Sequence, residues 1–351
     1  MKNDKILMKG NIAVCEGAID AGCDAYFGYP ITPQNEIPAY MSRRMVELGR
    51  VFIQAESELA AINMVFGAAV CGKRAMTSSS SPGISLKQEG ISYLAGAELP
   101  CVIVNVQRGG PGLGNISGSQ ADYFQATKGG GHGDYRLIVL APDSVKEMYD
   151  LTFLAFDLAD KYRIPVMILT DGIVGQMMEP IETIQNEKFK MKNYEKNWKL
   201  DGCKGREPRL MRSLIMEEGG LEKHNWHLKE KYDDIKKNEI QYEADFTDDA
   251  EISVVSFGIA ARICKSAVKK LRQEGFKVGL IRPITLWPFP EKVISDVAAK
   301  SKKILVAEMN MGQMVEDVKL AVNGKCPVEF LGAPGGAVFS EDEIIAKIKG
   351  I

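Results

Sequence analysis

Four short stretches of this chain place residue types suited to proton transfer and anion recognition beside apolar runs. Thr32 stands in Tyr29-Pro30-Ile31-Thr32-Pro33, and Glu56 and Glu58 flank Ser57. Ser78 to Ser81 precede Pro82 and Gly83, and Arg108 is followed by Gly109-Gly110-Pro111-Gly112. A carboxylate can exchange a proton, and a guanidinium can hold a carboxylate or phosphate through parallel N–H bonds. A hydroxyl-rich turn can line a polar ligand. What joins the four is their position along the fold.

Runs at Ala25–Tyr29, Val51–Gln54, Ala75–Ser78, Pro100–Gln107, Leu137–Ala141 and Pro165–Thr170 read as buried strands. Amphipathic stretches such as Glu58–Val70 and Val145–Tyr162 lie between them. Such alternation predicts a parallel sheet covered by helices on both faces. Ligands of open parallel sheets bind outside the carboxyl ends of the strands, and Thr32, Glu58, the serine turn and Arg108 all follow strand ends. They therefore converge on one rim.

Each member also has a plainer reading. Glu58 behind Ser57 fits the first turn of a helix, where an acidic residue favours the dipole. Thr32 between prolines can simply shape a turn, and Arg108 can be a surface ion-pair partner. The serines can cap the following helix. Gly110-x-Gly112-x-Gly114 lacks the dinucleotide spacing and its acidic partner, which disfavours a nicotinamide dehydrogenase. His132, in Gly129–Asp134, is either a proton carrier or a hydrogen bonder in a glycine loop, and the structural reading is preferred.

The 351 residues suggest two domains with a bridging segment: 1–185, a connecting 186–249, and a smaller 250–351. The connecting stretch is rich in Lys, Glu, Asp and Asn, with Trp198 and Trp226 as isolated anchors, and is expected to be irregular. The histidines of His224-x-x-His227 lack further ligands and are expected at the surface. Beyond it, Ile252–Phe257, Lys277–Arg282, Lys303–Glu308 and Val328–Leu331 alternate as strands with four helices, Ala260–Glu274, Pro290–Lys300, Gln313–Val322 and Glu341–Lys349. A net charge of −2 argues against nucleic-acid binding. The lysines of Met1–Gly10 precede no long apolar run, so neither signal peptide nor membrane span is expected, and the expected location is cytoplasmic. None of the seven cysteines forms a C-x-x-C pair, so a cluster or zinc site within the chain is not expected.

Taken together, Tyr29–Pro33, Ser57-Glu58, Thr77–Gly83, Arg108–Gly112, Gln120–Tyr123, Gly129–Tyr135 and Gly332–Gly336 resemble the pyrimidine-domain subunit of the 2-oxoacid:ferredoxin oxidoreductases. The resemblance covers nearly the whole chain, is weakest over 186–249, and is closest to the branch acting on 3-methyl-2-oxobutanoate (2-oxoisovalerate), with the 2-oxoglutarate branch next. It implies a pyrimidine-type thiamine-diphosphate fold plus a smaller α/β domain like the transketolase C-terminal domain. It also implies that Glu58 meets the cofactor pyrimidine nitrogen and promotes the tautomer that deprotonates the thiazolium carbon. Ser80, Ser81 and Pro82 would lie beside that ring, with Thr32 and Arg108 binding the 2-oxoacid. Coenzyme A would accept the acyl group and ferredoxin the electrons. Thr170-Asp171-Gly172 matches the diphosphate motif only in part and lacks its asparagine. The family pattern then puts the diphosphate half, its Mg2+ and the iron–sulfur clusters on partner chains: a diphosphate-domain subunit, a gamma-type subunit and a ferredoxin-like subunit.

Overall fold

A computed structural model describes residues 5–182 and 191–351. The chain begins with β1 (Ile6–Lys9) and α1 (Gly10–Asp20), followed by β2 (Ala25–Gly28), α2 (Glu36–Glu47), β3 (Val51–Gln54) and α3 (Glu58–Val70). Next come β4 (Ala75–Ser79), α4 (Ser81–Gly96), β5 (Cys101–Gln107), α5 (Tyr123–Thr127) and β6 (Ile138–Leu140). After them stand α6 (Val145–Tyr162), β7 (Pro165–Asp171), α7 (Gly172–Gln176) and β8 (Met178–Ile181). The remainder is α8 (Gly220–Asn238), β9 (Tyr242–Asp245), β10 (Ile252–Val255), α9 (Gly258–Gln273), β11 (Val278–Pro283) and β12 (Thr285–Trp287). It closes with α10 (Glu291–Ala298), β13 (Lys303–Glu308), α11 (Met314–Val322), β14 (Val328–Gly332) and α12 (Glu341–Lys349).

The first sheet has the order β12-β6-β7-β5-β4-β2-β3. All its pairs are parallel except β12 against β6. Its centre is dry: every residue of β5 and of β7 is buried, which is why both are written as continuous apolar runs. α1 packs on α6 and α3 on α4. The second sheet has the order β14-β13-β10-β11-β9, with only β9 antiparallel, and β1 and β8 form a separate antiparallel pair. The architecture is thus the mixed α/β arrangement with parallel sheets that the strand pattern predicts.

The stretch 186–249 departs from the irregular expectation. The boundary expected near Asn186 falls within 183–190, outside the described residues. Further on, α8 is a 19-residue helix, and β9 joins the second sheet. Its composition hid it, because only Leu228, Tyr232 and Ile235 of α8 are buried, a narrow helical stripe on a charged rod. Lys231 Nζ donates to Glu98 Oε1 at 2.9 Å and fastens that rod to the end of α4. The two tryptophans also part company: Trp198 is buried under the Arg163 guanidinium, whereas Trp226 is 63% exposed.

The two sheets are joined by buried polar links. Arg282, fully buried, donates from Nη1 and Nη2 to the Glu147 carboxylate at 2.7 and 2.6 Å and lies 3.0 Å from Asp143 and 3.1 Å from Glu243. Gln120 Nε2 donates to Phe257 O at 2.8 Å, and Tyr123 Oη to Asp317 Oδ2 at 2.6 Å.

Candidate active site

The strands that end at the rim, β5, β4, β2 and β3, are consecutive neighbours in the sheet, so their exits are also neighbours. The loop after β2 is anchored from behind. Pro33 O accepts from Asn11 Nδ2 at 2.9 Å and from Gln176 Nε2 at 3.0 Å. Gln34 Oε1 accepts from Ser78 Oγ at 2.5 Å, which also bonds Tyr26 Oη at 2.6 Å. Thr32 rides on this braced turn, half-buried, its hydroxyl accepting from Asn35 Nδ2 at 3.3 Å.

After β3, Ser57 caps α3 by accepting from Ala60 N at 3.1 Å, so the helix-start reading of this pair holds. It does not account for Glu58, which is only 6% exposed and whose carboxylate accepts no hydrogen bond from the described residues. An acidic residue serving only the helix dipole would sit in water, as Glu56 does. Gly83 lies directly against it: a Cβ there would come within 2.6 Å of Glu58 Oε1 and 2.1 Å of Ser79 Oγ.

The serine turn after β4 is divided in its roles. Ser79 and Ser80 are fully buried with hydroxyls that have no partner among the described residues, an uncommon state for buried polar atoms. Ser81 Oγ bonds the backbone of Arg108, accepting from its N–H at 3.1 Å. Pro82 begins α4 at half-buried depth. Arg108 reaches back across the rim, donating from Nη1 to Thr32 O at 3.0 Å and from Nη2 to Leu113 O at 2.9 Å. Its Nε–H is buried without a partner among the described residues. The arginine is therefore a brace with donor capacity left over, and the surface ion-pair reading does not apply to it.

Two further residues belong to this rim, and the strand pattern gave no sign of them. Asp122 accepts from Asn105 Nδ2 at 2.8 Å, and burial pushes its carboxyl up while hydrogen bonds from Ser81 and Asn105 oppose that. It follows no strand, so no periodicity pointed to it. Lys87 of α4 is wholly buried, and burial brings its ammonium down to about 7, with the Glu58 charge opposing.

Asp171 stands at the end of β7 and is consumed structurally. It accepts from Ile173 N at 2.8 Å and Val174 N at 3.1 Å, and the backbone of Ile259 also bonds it. Burial nonetheless raises its carboxyl to about 6. His132 is exposed in its glycine loop. His224 Nε2 lies 2.7 Å from Gly96 O and His227 Nε2 3.1 Å from Glu98 Oε1, so each ring meets α4 or the turn behind it. A cavity of about 850 Å³ lies elsewhere, between α8 and Trp287, and includes none of the rim residues. No helix among the described residues is long and apolar enough to cross a membrane.

A buried carboxyl without donors among the described residues, beside two orphaned hydroxyls and a glycine that keeps the wall flat, fits an aromatic nitrogen heterocycle whose ring nitrogen can share a proton with it. Thiamine diphosphate carries such a ring, so its aminopyrimidine fits the residues present.

Comparison with known proteins agrees with this geometry. The family model described as "Pyruvate flavodoxin/ferredoxin oxidoreductase, thiamine diP-bdg" matches residues 16–244, and "Pyruvate:ferredoxin oxidoreductase core domain II" matches 250–344. The chain is 52% identical over 345 residues to ketoisovalerate oxidoreductase subunit VorB of Methanothermobacter marburgensis, covering 98% of this chain and 97% of the relative. It is 39% identical over 373 residues to 2-oxoglutarate synthase subunit KorA of the same organism, covering 99% of each. A solved structure of 2-oxoglutarate:ferredoxin oxidoreductase from Magnetococcus marinus, with 2-oxoglutarate, coenzyme A and succinyl-CoA bound, superposes with a TM-score of 0.89 at 28% identity. That match covers 99% of this chain, which spans 65% of the longer one. A split-gene transketolase shares the fold alone, at 13% identity and a TM-score of 0.61 over 98% of this chain and 97% of that one. By these matches the chain belongs to the 2-oxoacid:ferredoxin oxidoreductases, as an enzyme subunit that works with partner subunits.

Proposed function

We propose that this chain supplies the pyrimidine side of a thiamine diphosphate site in an enzyme that oxidatively decarboxylates 3-methyl-2-oxobutanoate, with coenzyme A as acyl acceptor and ferredoxin as electron acceptor. The observation that carries the site is the Glu58 carboxyl, buried at the carboxyl ends of the strands without a donor among the described residues. When bound, the cofactor supplies the nucleophilic carbon and the electron sink for decarboxylation. Glu58 shares a proton with the pyrimidine ring nitrogen, and Ser80, Ser81 and Pro82 line that ring. Thr32 and Arg108 receive the 2-oxoacid, Arg108 offering N–H groups that its two backbone bonds leave free. Because the serine turn, Thr32 and Arg108 are already tied together, binding the substrate reorganises little of the site.

The diphosphate, its Mg2+ and the iron–sulfur clusters belong in this reading to partner subunits: one with the diphosphate domain, one gamma-type and one ferredoxin-like. Asp171 supports that division, since its carboxylate already serves three backbone N–H groups. The whole complex is placed in the cytoplasm. Branched-chain specificity is favoured by the 52% identity to the ketoisovalerate relative against 39% to the 2-oxoglutarate one. A distal carboxylate on 2-oxoglutarate would ask for a second cation at the rim.

The test is coenzyme-A-dependent viologen reduction by the complex purified through this chain, over a panel of 2-oxoacids. Highest kcat/KM with 3-methyl-2-oxobutanoate is expected. Preference for 2-oxoglutarate would overturn the substrate, and no reduction with any 2-oxoacid would overturn the chemistry.

A further inference from the structure

Arg108 stands at the foot of a hairpin that has little of its own to hold it. Its stem is a single bridge, Arg108 opposite Gly118, with Gly109 N–H donating to Ser117 O at 2.9 Å just above. Every residue from 111 to 117 is exposed. Near the tip, Asn115 N–H donates to Gly109 O at 2.9 Å, and Gly114 turns the chain at φ +59°, where a Cβ would strike Gly109 O at 1.6 Å. The carbonyl of Leu113, held in that turn, accepts from Arg108 Nη2 at 2.9 Å. The guanidinium is therefore aimed in part by the tip of its own hairpin, and it is only as fixed as that tip.

Asn115 ties the tip to a distant part of the chain. Its Oδ1 accepts from Ser117 N at 3.0 Å, which shapes the turn locally. Its Nδ2 donates to Gly335 O at 2.7 Å, 220 residues further on, in the turn that follows β14 at the border of the second sheet. Among the described residues this is the one hydrogen bond between residues 109–117 and that part of the chain. The turn is built to receive it. Gly335 and Gly336 have φ +69° and +93°, left-handed values that favour glycine. A Cβ on Gly336 would lie 2.6 Å from Ser117 Cβ, and one on Gly109 would lie 2.6 Å from Asn115 Oδ1 and 3.0 Å from Gly335 C. Glycines on both sides thus let the asparagine amide lie between two backbones.

We propose that Asn115 is a positioning residue for Arg108: by bonding Gly335 it pins the hairpin that aims the guanidinium, so that the glycine turn after β14 sets the affinity for the 2-oxoacid without touching it. This rests on the reading of Arg108 given above, and it gives Gly332–Gly336 a task that no rim residue performs.

The experiment measures viologen reduction by the purified complex with 3-methyl-2-oxobutanoate for wild type, Asn115→Ala, Asn115→Ser, Arg108→Met and Asn115→Ala/Arg108→Met. Serine can still accept from Ser117 N but is too short to reach Gly335 O. Both Asn115 variants raise KM for the 2-oxoacid about two- to tenfold, the share of one neutral hydrogen bond, with a smaller effect on kcat. Thiamine diphosphate affinity, read by calorimetry, stays at the wild-type value. Arg108→Met lowers kcat/KM, and adding Asn115→Ala lowers it no further, since no guanidinium is left to aim. Asn115 variants with wild-type KM beside an impaired Arg108→Met would overturn the tether alone. An equal loss from Asn115→Ala in both backgrounds would also overturn it, because Asn115 would then act independently of Arg108. An Arg108→Met complex with unchanged KM would instead overturn the reading of Arg108. Should the Asn115 variants not assemble, hydrogen exchange of the wild-type complex without coenzyme A decides. Adding 3-methyl-2-oxobutanoate slows exchange in 109–117 and 333–337 together; slowing confined to 109–117 overturns the proposal.

Discussion

Arg108 Nη1 donates to Thr32 O at 3.0 Å, which ties the loop leaving β5 to the loop leaving β2 across the intervening strand β4. Nη2 holds Leu113 O at the same time, so the guanidinium fixes two loops and keeps its buried Nε–H free. Lysine has no fork with which to do both. Arg108→Lys therefore raises KM for the 2-oxoacid at least about tenfold while cofactor affinity changes little, about the cost of one charged hydrogen bond. Steady-state viologen reduction reads the first and calorimetry the second; an unchanged KM would remove Arg108 from substrate binding.

Glu58→Gln keeps the shape of the side chain and removes its capacity to exchange a proton. Turnover of the complex falls by about 10²-fold or more, the usual share of a positioned proton-transfer group. Complex assembly, followed by size-exclusion chromatography, stays intact. A subunit that only assembles its partners would retain activity with glutamine here.

Gly83→Ala places a methyl group 2.1 Å from Ser79 Oγ and 2.6 Å from Glu58 Oε1. Alanine favours a helix over glycine by up to about 1 kcal/mol, but overpacking of this kind costs about 1–3 kcal/mol. The melting temperature and turnover are expected to fall together. A variant more stable than wild type would mean that the wall beside Glu58 yields easily.

Arg282→Met leaves Glu147 without its ion-pair partner among the described residues and Asp143 and Glu243 with Lys265 alone. Burial raises Asp143 to about 6, with the Glu147 charge adding to it, whereas paired hydrogen bonds from Arg282 overcome burial and hold Glu147 below its ordinary range. Removing the guanidinium costs about 3–5 kcal/mol near neutral pH. The orphaned carboxyls then have raised values in the folded chain, so the loss is largest above those values and shrinks on acidification. Chemical denaturation at pH 8 and pH 5 checks this, and an equal loss at both would sink it.

Asp171 gives a second pH signature. Its folded-state value is raised from 3.8 to about 6, so proton uptake favours the folded chain. That contribution is complete below the unfolded value and lost as pH rises through about 6. Asp171→Asn keeps an acceptor for Ile173 N and Val174 N but exchanges no proton. Relative to it, wild type gains about 1–2 kcal/mol between pH 7 and pH 5. A difference that does not vary with pH would show that Asp171 stays ionised.

Much of this was legible in the residues because dry parallel strands are written as unbroken apolar runs, and the rim follows from where those runs stop. Glu58 was legible as a helix start through Ser57, yet its burial was not, because burial depends on Gly83 arriving from another helix. Lys87 illustrates the limit: a lysine within a helix reads as solvent-facing until α3 is known to cover it. Asp122 follows no strand, so periodicity did not point to it, and only the resemblance of Gln120–Tyr123 touched its stretch. α8 was obscured by its charged surface, and its three buried residues are too few to lift the pattern above its composition. β12 spans three residues between two turns, too short for any period to register.

That short strand has a consequence for how the chain can be divided. Thr285 and Trp287 pair with β6 and form the border of a sheet whose other strands all lie before residue 172. A truncation after the first family match would leave the backbone of β6 open along its whole length. An unpaired border of apolar residues recruits strands from other molecules. During synthesis the same border stays bare until residue 287 has left the ribosome, so the amino-terminal half must wait for the carboxyl-terminal half before it is protected from its own copies.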